Sequence, residues 1–313
     1  MKQKVIAIVG PTAVGKTKMG VYLAKRLDGE VINGDASQIY REMSIGTAKA
    51  TAEEMDGVPH HLLDICDPSE TYTAADYQRD ARQTIERLGS HKKQPILVGG
   101  TGFYIKAALY SYRFSDIKAD KAYRQQLEQY VQVNGAEALH AKLAQVDPMA
   151  ASKIHPHNAI RVIRALEVYQ LTGIPFSKQQ QQVSDQPIYP VVFIGLTMPR
   201  EILYQRIDRR VDKMMEAGLL KEVQQLYDQG LAGSQALQAI GYKEFFPYFE
   251  GKQSLEASID QLKKNSRHYA KRQFTWFRGQ MQVKWFDMTH AEDCFSQHAE
   301  DVLSYIIQQQ KNV

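Results

Sequence analysis

The sequence predicts an α/β fold in which a parallel β-sheet is covered by helices on both faces and carries an all-helical insertion. Three observations predict it. From Val5 onward, short apolar runs alternate with helical patterns, as parallel strands joined by crossover helices require. A glycine-rich octet, Gly10-Pro11-Thr12-Ala13-Val14-Gly15-Lys16-Thr17, directly follows the first apolar run. Between Tyr112 and Tyr189 the alternation stops and only helical spacing remains.

Val5 to Val9 is short, wholly apolar and rich in β-branched residues, which suits a strand buried on both faces. Lys16 to Leu27 then carries helical spacing, and Glu30 to Asn33 supplies a second strand. His61 to Ile65 reads as a third strand, Ala74 to Leu88 as a helix and Pro95 to Val98 as a fourth strand. Helical spacing fills Tyr123 to Val133, Ala136 to Leu143 and Asn158 to Leu171. The polar run Lys178-Gln179-Gln180-Gln181-Gln182 then reads as a loop or an exposed helix end. Because Val191 to Leu196 resumes the strand pattern, residues 113–189 are expected to form a helical domain inserted in a core of residues 1–112 and 190–313. Two long helices, Arg200 to Gln229 with a break near Gly218 and Ser254 to Phe277, complete that core, and no internal repeat is visible.

A chain of 313 residues with 43% hydrophobic residues can bury a full core and support a smaller second domain. Cys66 and Cys294 lie far apart, outside any metal-binding spacing, so free thiols in a reducing, cytoplasmic setting are expected. The run Val5 to Val9 is too short for a signal peptide, and no apolar stretch reaches membrane-spanning length. A monomer without membrane attachment is the expectation. The net charge of +4 says little about partners.

The octet says much more. It matches the phosphate-loop pattern after a strand and before a helix, which makes the core P-loop NTPase-like. Glycines 10 and 15 let successive backbone N–H groups turn toward phosphate oxygens, and the following helix adds the positive end of its dipole. Lys16 suits the outer phosphate and the Thr17 hydroxyl a Mg2+ ion. Nucleotide kinases, hydrolases and diphosphate-using transferases all share this device.

Ligands in open parallel sheets sit beyond the carboxyl ends of the strands. Asp35 follows the second strand, where it could act as a general base, bind a hydroxyl, hold Mg2+ through water, or merely cap a helix. Gly99-Gly100-Thr101-Gly102 follows the fourth, where it offers backbone donors and a hydroxyl or is an ordinary tight turn. From Gln261 to Trp285 stand Lys263, Lys264, Arg267, Lys271, Arg272, Arg278 and Lys284, with no acidic residue. Lys264, Arg267, His268, Lys271 and Arg272 share one helix face, and Tyr269, Phe274, Trp276 and Phe277 are interleaved. Such a stripe fits a phosphate backbone, and a solvated face over core aromatics would leave the same pattern.

At these residues the chain resembles the bacterial tRNA dimethylallyltransferases, or tRNA isopentenyltransferases. The likeness runs from the octet through Asp35 to Arg41, Ile96 to Tyr104, Asn158 to Glu167, Arg210 with Met214 and Gly218, and Ala239 to Glu244, ending at Arg267 to Arg278. It implies transfer of a dimethylallyl group from dimethylallyl diphosphate to N6 of the adenosine just 3′ of the anticodon in tRNA. Asp35 would be the general base, and Arg210 an added cation on the diphosphate held by the octet with Thr17-bound Mg2+. Thr101 would serve the phosphate and RNA sides. The resemblance further implies RNA contacts at Asp35, Ala36, Ser37 and Gln38, at Asn158, Arg161 and Arg164, and at Gly241, Tyr242 and Lys243, with the insertion on the anticodon stem-loop.

Ala36 stands where the family commonly has Ser, so position 36 offers no hydroxyl and Ser37 follows one place later, and Cys294 with His298 cannot rebuild the zinc finger of eukaryotic relatives. His60-His61 and His155-Pro156-His157 lack a carboxylate or thiol at ligand spacing. The other readings are a nucleoside or small-metabolite kinase using the loop on ATP, isopentenyl transfer to free AMP, and a non-catalytic phosphate-loop RNA-binding module. Against the kinase, no strand ends in an apolar run plus Asp, which would place a second magnesium ligand.

Overall fold

A computed structural model describes residues 3–112, 114, 120–180, 186–291 and 293–311. The chain divides into two compact units, residues 1–109 with 187–313, and residues 110–186. Each boundary falls three residues earlier than the sequence suggests, 110 against 113 and 187 against 190.

In the first unit, β1 (Val5–Val9), α1 (Lys16–Arg26), β2 (Gly29–Asn33), α2 (Ala52–Met55), β3 (His60–His61), α3 (Ala74–Ser90), β4 (Gln94–Gly99) and α4 (Gly102–Leu109) follow in order. The second unit is wholly helical: α5 (Lys121–Asn134), α6 (Ala136–Val146), α7 (Pro148–Lys153), α8 (Ala159–Thr172) and α9 (Phe176–Gln180). The first unit then resumes with β5 (Val191–Thr197), α10 (Arg200–Glu216), α11 (Leu219–Asp228), α12 (Phe246–Phe249), α13 (Leu255–Gln280), β6 (Lys284–Asp287) and α14 (Phe295–Lys311).

Among the described residues the sheet is parallel throughout, ordered β3-β2-β4-β1-β5-β6. β1 lies between β4 and β5, pairing Ile8 with Val98 and with Ile194, so its five residues are fully buried and the octet leaves the middle of the sheet. Ile6, Ile8, Met19, Leu23, Ile96 and Ile194 form the core under α1.

Besides the short helices α2, α4, α7 and α12, which the sequence reading does not name, three elements differ from it. β3 stops at His61 rather than running to Ile65, because Leu62 and Asp64 take positive φ angles of 62° and 54° that a strand cannot hold. β6 is a four-residue edge strand with exposed ends, hidden behind the basic run before it. α14 escapes the reading although Ala299, Val302, Leu303 and Ile306 bury at helical spacing. The break expected near Gly218 is present, with φ 97° separating α10 from α11.

In the helical unit Leu127, Leu139, Leu143, Val162 and Leu166 make the core. The Glu167 side chain is fully buried there and accepts from Arg124 Nε and Nη2 at 2.7 and 2.8 Å, from the Asp120 N–H at 2.9 Å, and from Arg164. Burial alone would raise the Glu167 pKa, and the two guanidiniums outweigh it and hold the carboxyl below its usual range. Gln181 and Gln182 of the polar run lie outside the described residues, as does Arg113. No helix among the described residues is long and apolar enough to cross a membrane.

Candidate functional site

The octet curls because its backbone reaches conformations few residues tolerate: Ala13 has φ 64° and Gly15 φ 100°. At Gly10 a Cβ would lie 2.7 Å from the Leu196 carbonyl oxygen on β5, so only glycine fits. Gly15 is the N-cap of α1 and supplies no side-chain cap, which leaves the first-turn N–H groups for an anion. Beyond the loop lies a cavity of about 700 Å³ whose walls include Lys16, Thr17, Asp35, Gln38, Arg210 and Arg272. Thr12, Ala13, Gly15 and Ser37 also face it, whereas Val14 is buried in the core.

Lys16 Nζ donates to the Pro11 carbonyl at 2.7 Å. Burial pushes its pKa down to about 8, with the Asp35 carboxylate opposing and Arg210 adding to the fall. Burial also lowers Arg210, against support from Glu54 and Asp35. Arg210 donates to Thr12 Oγ1 and to the Ala48 carbonyl, both at 3.4 Å. Cation, cation and carboxylate thus act on one another across one cavity.

Asp35 caps no helix, since a bend and turn follow it. Its Oδ1 accepts the Ser37 N–H at 2.9 Å, and its own N–H donates to Asn33 Oδ1 at 3.0 Å. Oδ2 makes no hydrogen bond among the described residues and is left to the cavity. The Ala36 N–H donates to Thr101 Oγ1 at 3.0 Å, so the backbone at 36 is tied down whatever its side chain.

The Gly-Gly-Thr-Gly turn needs correcting in part: Gly99 and Gly100 line the cavity, but the Thr101 N–H is spent elsewhere. Thr101 donates its N–H to the Gly34 carbonyl at 3.1 Å, and its hydroxyl oxygen accepts the Ala36 N–H. Its glycines also make room for neighbours: a Cβ on Gly100 or Gly102 would sit 2.2 Å from Gln273 Nε2 or 2.0 Å from the Trp276 ring.

The basic stripe needs correcting too. Lys263 and Arg267 are answered across to α10, by Asp212 at 2.6 Å and Asp208 at 2.5 Å. Lys264 and Lys271 stand exposed, and Arg272 lies over the Tyr269 ring and lines the cavity. Burial pushes the Tyr269 phenol up to about 12. In the helical unit Asn158 caps α8, Arg161 is exposed, and Arg164 is committed to Glu167.

Tyr242 is fully buried, and its hydroxyl donates to Glu222 Oε1 at 2.7 Å; it therefore seats its segment and offers RNA no side chain. Gly241 packs against the Gly46 carbonyl, and Lys243 is exposed. Glu222 also accepts the N–H groups of Ser44, Ile45 and Gly46 at 3.0, 2.8 and 2.9 Å. It fixes the loop whose Thr47 and Ala48 carbonyls receive Gln38, at 3.0 and 3.2 Å. Sequence reasoning missed Glu222 and Gln273, since partners more than 170 residues away leave no local signal. It also missed the cavity-facing cations Arg206, Arg209 and Lys213, which with Arg210 follow helical spacing on α10.

Residues 38–280 match the family model described as IPP transferase. A tRNA dimethylallyltransferase of Geobacillus kaustophilus is 56% identical over 98% of this chain and 97% of its own length. The structure of the full-length tRNA isopentenylpyrophosphate transferase from Bacillus halodurans superposes with a TM-score of 0.76 at 52% identity, covering 99% of this chain and 98% of that one. A eukaryotic dimethylallyltransferase caught acting on tRNA gives a TM-score of 0.81 at 32% identity, over 98% of this chain and 80% of its own.

Proposed function

The chain belongs to the IPP transferase family of tRNA dimethylallyltransferases, and from that premise we propose that it moves a dimethylallyl group from dimethylallyl diphosphate to N6 of the adenosine just 3′ of the anticodon in tRNA. The observation that carries this reading is the convergence of Lys16, Arg210 and Asp35 on one cavity at the phosphate loop. The loop N–H groups and the two cations hold the diphosphate and neutralise the charge that grows as its carbon–oxygen bond breaks. As the N6–carbon bond forms, Asp35 Oδ2 accepts the proton that N6 must lose, and diphosphate leaves.

A Mg2+ ion fits the donor set. It asks for one or two protein oxygens beside phosphate and water oxygens, and Thr17 and Asp35 line the same cavity. Held by Thr17, the ion would add positive charge on the leaving diphosphate.

On the RNA side, Lys264, Lys271, Arg272 and Lys243 offer phosphate contacts from the first unit, and Arg161 with the Asn158 turn offers them from the helical unit. A target base in a single-stranded loop is cheap to flip into a pocket. The protein is proposed to act as a cytoplasmic monomer. The test is a tRNA transcript incubated with dimethylallyl diphosphate and then digested to nucleosides. Modified adenosine is expected, and it should vanish when the adenosine 3′ of the anticodon is replaced by guanosine.

A further inference from the structure

One buried side chain outside the motif residues joins two parts of the site that the sequence keeps far apart. Gln273, on the inner face of α13, is 4% exposed. Its Oε1 accepts the Thr12 N–H of the phosphate loop at 2.9 Å, and its Nε2 donates to the Gly100 carbonyl beyond β4 at 2.9 Å. Only one orientation of the amide satisfies both partners, because one offers a proton and the other a lone pair. Thr12 is held again at its hydroxyl by Arg210 of α10. One helical turn before Gln273, Tyr269 lines the same cavity, and Thr101, next to Gly100, receives the Ala36 N–H beside Asp35 at 3.0 Å. Phosphate loop and Gly100 turn are thus referenced to one helix through Gln273, and the turn carries the Asp35 loop through Thr101.

We propose that Gln273 is a positioning residue that fixes the phosphate loop at Thr12 against the Gly100-Thr101 turn, and so sets the diphosphate relative to the Asp35 carboxylate. The proposal rests on the dimethylallyl-transfer reading. It does not make Gln273 a contact of either substrate.

Gln273→Glu is the informative variant because it is nearly isosteric. An ionised carboxylate still accepts the Thr12 N–H but meets the Gly100 carbonyl lone pair with no proton between them. A protonated carboxyl restores the donor. Burial and the facing carbonyl favour that neutral form, so the carboxyl pKa is raised. The variant's defect relative to wild type should therefore shrink as pH falls through that pKa and be full above it. The expected loss in kcat/KM for dimethylallyl diphosphate above that pKa is roughly tenfold, the scale of one buried hydrogen bond left unmade. Gln273→Ala should show a loss whose ratio to wild type does not change with pH. Affinity for an isolated anticodon stem-loop should stay within about twofold in both, since a tenfold change would need another contact.

The decisive readouts are calorimetric binding of dimethylallyl diphosphate and the kinetic split, each taken as variant over wild type across pH. A pH-dependent defect in Gln273→Glu, absent from Gln273→Ala, supports the proposal. Wild-type parameters in Gln273→Glu at every pH, or a defect equal in both variants at every pH, overturns it. Binding is read without RNA, so failure of the wild type to modify tRNA would sink the transfer reading while leaving this result interpretable.

Discussion

Lys16 reaches back to the carbonyl of Pro11 in its own loop, at 2.7 Å, so the loop's cation rests on the backbone it must leave to meet a phosphate. Burial holds its pKa at about 8. An arriving diphosphate favours the charged ammonium and raises that value, so the complex takes up a proton. Affinity should be insensitive to this group below about pH 8 and fall with rising pH between the free and the bound pKa. Calorimetry in two buffers of different ionisation heat should show uptake near pH 9 and almost none near pH 7, about one unit to either side of the free value. Lys16→Arg stays charged throughout and should abolish the difference; equal uptake in that variant contradicts the assignment.

Asp35→Asn keeps an oxygen for the Ser37 N–H, so the turn survives while the proton acceptor is lost. Turnover should drop at least about a hundredfold, the low end for general-base catalysis, with binding of both substrates kept. Near-normal turnover in single-turnover assays removes Asp35 from the role.

The exposed and the paired cations of α13 should separate in a salt titration. Lys264→Ala and Lys271→Ala should each reduce the slope of log tRNA affinity against log salt by roughly 0.7 to 0.9 for every phosphate that the side chain neutralises. Lys263→Ala and Arg267→Ala, whose partners are Asp212 and Asp208, should change it less. Slopes equal to that of the wild type in all four variants would make the stripe a solvated face.

Glu222→Ala would leave three backbone N–H groups and the Tyr242 hydroxyl without their acceptor. Unmade hydrogen bonds of this kind cost about 1–3 kcal/mol each where water cannot replace them, so denaturant titration should show a loss of at least that size. Because this loop carries the Ala48 carbonyl that Arg210 touches, affinity for dimethylallyl diphosphate should fall as well. Unchanged stability and affinity would show that these hydrogen bonds are replaceable.

What the sequence disclosed was what adjacent residues encode. β1, the octet and the break at Gly218 are local signals: a buried apolar run, a fixed glycine spacing, one left-handed residue. The resemblance reached Asp35, Arg210 and Thr101, but it could not say that the Thr101 hydroxyl is tied to Ala36 or that Tyr242 faces inward. Pairings across the fold stayed hidden for a physical reason. Asp208 with Arg267, Glu222 with the Gly46 loop, and Gln273 with Thr12 each need two distant segments in register, and neither segment carries a mark of its partner. Ion pairs from another helix also escape a charge count confined to one stretch. The stripe therefore looked more exposed than it is.

The central claim is transfer of a dimethylallyl group to RNA, and incubation with labelled dimethylallyl diphosphate tests it most directly. Tubes holding tRNA, free AMP, or ATP with a panel of small metabolites are compared side by side. Label is predicted in tRNA alone, with diphosphate released in equal amount. Label in AMP but not in tRNA, or phosphoryl transfer from ATP with no label moved, would contradict the account.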